Sequence, residues 1–143
     1  MIDHDEICRL IPHEGSMCLL GEVRFWDENK IICASMTHID TRNPLRNENE
    51  LPMLSLIEYG AQAMAVHGCL SAKCRPMQTG YLAALRDVKI EPGDLADIDS
   101  ELIIEAERIF ADAGNMIYSV LVHSRTKNLM SARATVMARF KDS

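Results

Sequence analysis

Leu54-Ser55-Leu56-Ile57-Glu58-Tyr59-Gly60-Ala61-Gln62-Ala63-Met64-Ala65-Val66-His67-Gly68-Cys69-Leu70-Ser71-Ala72-Lys73 is the strongest helix candidate in the chain. Its apolar residues, among them Leu56, Ile57, Tyr59, Met64, Val66 and Leu70, fall on nearly every side of the helical wheel. A helix of that kind is enclosed by protein instead of lying on a surface. Gly60, Ala61, Ala63, Ala65 and Gly68 add little bulk, so other backbone can approach closely. Glu58 and Gln62, spaced one turn apart, share one face. A carboxylate in such surroundings is costly unless it is hydrogen-bonded or given a task. Ser55-Leu56-Ile57-Glu58 also reads as a capping box, in which Ser55 caps the helix and Glu58 reaches back to the Ser55 amide. Both readings of Glu58 are open at this point.

With 143 residues the chain is expected to form a single domain, residues 1–143, large enough for a real core. A formal charge of −6 and the lack of any Lys/Arg run argue against nucleic acid or an anionic membrane as partner. No apolar run approaches membrane-spanning length, and the start, Met1-Ile2-Asp3-His4-Asp5-Glu6, is acidic where a secretory signal is basic. A cytoplasmic location is expected. The five cysteines (Cys8, Cys18, Cys33, Cys69, Cys74) are odd in number and scattered, which suits small buried hydrophobes better than a disulfide framework or a zinc site.

Outward from the helix, Asp3 to Leu10 reads as a short helix capped by Asp3 and stopped before Pro12. His13 follows in the turn-rich Ile11-Pro12-His13-Glu14-Gly15-Ser16, where a histidine is either a solvated loop residue or a functional base. Met17–Trp26 and Lys30–Thr37 form a candidate hairpin, and the polar stretch from His38 to Leu51 is a loop leading to the helix. After a break at Cys74-Arg75-Pro76, strands are expected over Thr79–Ile90, Ser100–Phe110, Asn115–His123 and Met130–Phe140. Charge in Ser100–Phe110 also suits a helix. Ala113-Gly114-Asn115 and Arg125-Thr126-Lys127-Asn128 supply turns. His67 reads as a buried structural residue, whereas His38 and His123, at strand ends, read as solvated. The order predicts an α+β domain in which an antiparallel sheet of about six strands bends around one long helix.

Three blocks then carry a family resemblance: Ile11-Pro12-His13 with Met17-Cys18-Leu19-Leu20; Asn43-Pro44-Leu45-Arg46 leading to Ile57-Glu58-Tyr59-Gly60-Ala61-Gln62; and Gly80-Tyr81-Leu82-Ala83-Ala84-Leu85 running to Pro92-Gly93-Asp94. On these the chain resembles the hotdog-fold 3-hydroxyacyl-ACP dehydratases, in particular the smaller dehydratase-like proteins of aryl polyene biosynthesis clusters. The resemblance implies a hotdog dimer or higher oligomer, with itself or a paralogue, acting on acyl chains carried by acyl carrier protein or coenzyme A. It implies a site shared between protomers, His13 of one and Glu58 of the other, with Gln62 orienting the acid or the substrate and the strand around Ala84 and Leu85 receiving the thioester. No cofactor or metal is implied. The chain departs from the family's housekeeping members in three places. After the Pro-His pair it has Glu14-Gly15-Ser16 where they carry a basic-aromatic-Pro turn. Ala84 stands where they have glycine, and their His-Phe-Pro-Gly loop before the helix is replaced by Asn43 to Leu51. Arg42, Arg46, Arg75 and Arg86 are candidates for carrier or coenzyme A phosphates.

The implied chemistry needs a base and an acid. Removing water from a 3-hydroxyacyl thioester takes a proton from the carbon next to the carbonyl and protonates the departing hydroxide. His13 suits the first task and Glu58, in apolar surroundings, the second. Two other readings remain: a hotdog thioesterase using Glu58 to activate water without need of His13, and a non-catalytic subunit of a heteromeric dehydratase.

Overall fold

The long helix α2 spans Leu56–Ser71 and buries Leu56, Tyr59, Gly60 and every residue from Gln62 to Leu70. The computed structural model describes residues 2–11, 17–72 and 77–140. Leu54, expected inside the helix, belongs to a 3-10 turn at Met53–Ser55 and is 63% exposed. Around α2 runs a seven-stranded antiparallel sheet in the order β1-β2-β3-β5-β6-β7-β4. Its strands are β1 (Ile2–Asp3), β2 (Glu22–Trp26), β3 (Lys30–Ser35), β4 (Met77–Ile90), β5 (Leu102–Asp112), β6 (Asn115–His123) and β7 (Asn128–Phe140). One long helix wrapped by one bent sheet is the hotdog arrangement. The small residues of α2 explain how the sheet comes so close: a methyl built on Gly60 would lie 2.9 Å from Val120 Cγ1 on β6.

Local chemistry accounts for most boundaries. The helix α1 (His4–Leu10) is capped by Asp3, whose side chain accepts from the Glu6 amide at 2.9 Å. At the β2–β3 turn Asp27 Oδ1 takes the amides of Asn29 and Lys30 at 2.8 and 2.9 Å. The β5–β6 hairpin turns through Ala113 (φ 52) and Gly114 (φ 89), left-handed conformations that match the right-handed strand twist. A side chain at Gly114 would also strike Ala138 O at 2.6 Å. Alternating burial in β5 (Leu102, Ile104 and Ala106 inward) resolves that segment as a strand despite its charge.

Four expectations are corrected. The first strand is two residues long, too short to show a period, and it adds a seventh member to the sheet. His38 is fully buried, its Nε2 facing Ile98 O at 2.8 Å, because the loop folds back under a 3-10 turn at Thr37–Ile39. Cys8 and Cys18 are joined in a disulfide with Cα atoms 5.8 Å apart, while Cys33 and Cys69 are buried thiols. Pairing of β1 with β2 and burial of Ile7 lay α1 beside the approach to β2, a proximity that cysteine spacing does not reveal. His123, expected in solvent, is half-buried and pairs with Glu105 Oε2 at 2.7 Å.

His67 closes the far end of α2. Its Nδ1 lies 2.6 Å from Tyr118 Oη and its Nε2 2.7 Å from Asp27 O, so a neutral ring donates to the carbonyl and accepts from the phenol. Tyr118 in turn accepts from Arg108, which also donates to Ser71 Oγ at 2.5 Å. Burial holds His67 below its ordinary value near 6.5, partly offset by the Asp27 carbonyl, and burial lowers His38 likewise. Because the unfolded chain then takes up protons first, the stability from these neutral rings is complete above about pH 6.5 and is lost as pH falls through the folded-state values. Thermal midpoints measured across this range are expected to drop on acidification. His67→Gln should flatten the decline; an unchanged slope would remove His67 from the account.

Candidate active site

Glu58 sits half-buried in the first turn of α2. The capping reading fails on two observations. Ser55 makes no side-chain cap, its backbone being helical (φ −58, ψ −22), and its amide already donates to Pro52 O at 3.0 Å. The preceding 3-10 turn takes over the work of starting the helix.

One turn further, Gln62 is fully buried, and both ends of its amide are engaged. Oε1 accepts from the Leu19 amide at 2.8 Å, and Nε2 donates to Met17 O at 2.6 Å and to Glu58 Oε1 at 3.4 Å. Gln62 therefore ties the backbone just after the Pro12–Ser16 segment to the Glu58 face of the same chain. His13 itself lies outside the described residues.

The lid over this end of α2 is held by a network that sequence reasoning did not find. Tyr59 Oη meets Thr37 Oγ1 at 2.8 Å and accepts from Asn43 Nδ2 at 3.0 Å; Thr37 Oγ1 and Ser35 Oγ both donate to Leu19 O, at 2.7 and 2.6 Å. Burial raises the Tyr59 phenol, with the Thr37 and Asn43 hydrogen bonds opposing. Leu19 is thus held from both sides, by Gln62 at its amide and by two hydroxyls at its carbonyl. The only sequence signal was a tyrosine in an otherwise apolar wall and an asparagine before Pro44. Asp94, in the Pro92-Gly93-Asp94 turn, accepts from the Leu51 and Ala96 amides, each at 2.9 Å, and these bonds hold its carboxyl below the usual range. That turn fastens the chain where it leads into α2.

Beside Glu58, a small apolar cleft opens between α2 and the sheet, lined by Ile57, Gly60, Met64, Leu82, Leu85 and Met130 among others. Leu85 thus faces the same end of the helix as Glu58. Ala84 lies exposed on β4, next to a register shift between Leu82 and Ala84. Of the candidate phosphate ligands, Arg46 donates to the carbonyls of Asp40 and His38, Arg42 pairs with Asp40, and Arg86 is exposed. Arg75 falls outside the described residues. Among the described residues no helix is long and apolar enough to cross a membrane.

Comparison with known proteins bears on this geometry. The family model of ApeP-like proteins, described as ApeP dehydratase, matches residues 5–142. No curated protein sequence matches the chain. Among solved structures, the dehydratase heterocomplex ApeI:P from Xenorhabdus doucetiae superposes with a TM-score of 0.82 at 24% identity, covering 94% of this chain and 91% of that one. A hypothetical thioesterase from Streptococcus pneumoniae, solved with coenzyme A, gives 0.59 at 14% identity over 85% and 88%. The PaaI protein from the E. coli phenylacetic acid degradation operon gives 0.58 at 14% identity over 80% of each chain. These likenesses share the fold, and the family match spans nearly the whole sequence: the chain belongs to the ApeP-like dehydratases, hydro-lyases built on the hotdog fold.

Proposed function

We propose that this dehydratase converts 3-hydroxyacyl thioesters to trans-2-enoyl thioesters, with the acyl chain presented on the phosphopantetheine arm of an acyl carrier protein. The observation that carries the reading is Glu58: a carboxyl in the first turn of α2, not used as a cap, one residue from the apolar seam between α2 and the sheet. In this reading His13 takes the proton next to the thioester carbonyl, and Glu58 delivers a proton to the departing hydroxyl, so that one water leaves and a double bond forms. Gln62 is a positioning residue, since its amide is committed to Met17, Leu19 and Glu58.

In this reading His13 of one protomer meets Glu58 of its partner, as the family resemblance implies, while Gln62 holds Glu58 against the Met17 carbonyl of its own chain. A refolding mixture tests this. His13→Ala and Glu58→Gln chains, each expected to be nearly inactive, are unfolded and refolded together in equal amounts. A site within one chain stays broken in every copy, and enoyl formation does not return. In a shared site about half of the dimers are mixed and about a quarter of the wild-type rate returns.

A second reading has its own support. The loop from Asn43 to Leu51 holds no histidine, and the similar Xenorhabdus structure is a heterocomplex. Here the chain pairs with a related hotdog subunit that supplies the base opposite Glu58. β4 forms one end of the sheet and offers an edge to such a partner. Turnover by the purified chain alone, abolished by His13→Ala, supports the first reading; turnover only after a related subunit is added supports the second.

A further inference from the structure

The bridge between Cys8 and Cys18 has a third member that the dehydratase reading does not use. His4 lies one turn before Cys8 on α1, with Nε2 at 3.6 Å from Cys8 Sγ. Its other nitrogen, Nδ1, is 2.8 Å from Leu20 O, a contact that requires a proton on Nδ1 and leaves the Nε2 lone pair facing the sulfur. The two sulfurs and the His4 ring nitrogen all lie within 4.8 Å of one another. Cys8 is half-buried and Cys18 is 1% exposed, so an incoming reagent meets Cys8 first. Cys33 and Cys69, by contrast, are both fully buried, and burial pushes the Cys33 thiol up to about 12. Among the described cysteines this pair alone combines access, a partner sulfur and an adjacent base.

We propose that His4, Cys8 and Cys18 form a reversible thiol–disulfide exchange site for low-molecular-weight disulfides and dithiols. In the oxidising direction His4 Nε2 takes the Cys8 proton, and the thiolate attacks one sulfur of the disulfide oxidant, which leaves as a thiolate. Cys18, losing its own proton, then attacks Cys8 Sγ and expels the second thiolate. The two cysteines give up two electrons and two protons, the oxidant becomes two thiols, and a dithiol reverses both steps.

The test uses the full-length protein, reduced, freed of reductant and exposed to graded ratios of reduced and oxidised glutathione, with the bridge scored by alkylation and peptide mass. The expected result is a reversible loss of two alkylatable thiols, mapped to Cys8 and Cys18. His4→Gln should slow exchange by about tenfold at neutral pH and move the rate's pH profile to higher pH, which a merely structural role of His4 would not do. Cys8→Ser should abolish bridge formation and leave dehydration at the level of the reduced wild type. Thiols that stay alkylatable at every ratio, or an unaltered pH profile in a folded His4→Gln protein, would overturn the exchange site. So would one zinc ion per chain that masks both thiols until chelated. The alkylation readout holds whatever reaction the enzyme runs, so failure of the exchange site and failure of the dehydratase reading are told apart.

Discussion

Glu58→Gln is expected to lower dehydration by about two to four orders of magnitude while changing the unfolding free energy by less than about 1 kcal/mol. The amide matches the carboxyl in size and can still accept from Gln62 Nε2, and the helix start does not depend on Glu58 because the Ser55 amide is bonded to Pro52 O. What the amide cannot do is give a proton to a leaving hydroxyl. Turnover and denaturant midpoints measured on the same preparation separate the two effects. A folded Glu58→Gln protein that retains turnover would strip Glu58 of its role as acid.

The second large effect is expected at Gln62. Gln62→Leu keeps the side chain's bulk but leaves the Leu19 amide and the Met17 carbonyl without their partner. The orphaned, buried Leu19 amide costs about 1–3 kcal/mol and the part-buried Met17 carbonyl less, so a loss of about 1–4 kcal/mol is expected in denaturant unfolding. Leu19 O keeps its bonds from Ser35 and Thr37, which confines the damage to the side of the segment that faces Glu58. Gln62→Glu should retain the bond to the Leu19 amide but set a carboxylate against Met17 O and Glu58, so turnover is expected to suffer as well. Near-wild-type stability in Gln62→Leu would contradict the tether.

How much of this was legible beforehand depended on whether the signal was local. The helix α2 was legible because its apolar residues surround the wheel and its glycines and alanines thin it, both properties of one contiguous stretch. Apolar alternation in β5, and turn residues between the strands from β4 to β7, marked that part of the sheet for the same reason. Glu58 could be singled out as an anomaly, but not relieved of the capping role, because the 3-10 turn at Met53–Ser55 has no sharp sequence signature. The Gln62 bonds join residues 43 and 45 positions apart, the Tyr59 network joins Thr37 and Asn43, and the Cys8–Cys18 bridge depends on how α1 lies against β2. Each is a product of tertiary packing, which no spacing rule within one segment encodes. The resemblance to the dehydratases supplied roles that local physics alone left open, and the match over residues 5–142 upholds the family.

The measurement that bears most directly on the central claim follows the products of the wild-type protein, alone and with a related hotdog subunit, on a 3-hydroxyacyl acyl carrier protein and separately on an acyl-coenzyme A. The account predicts enoyl thioester with no release of free thiol, formation that disappears in Glu58→Gln. Free thiol released from either substrate without enoyl product, or enoyl formation undiminished in Glu58→Gln, would contradict it.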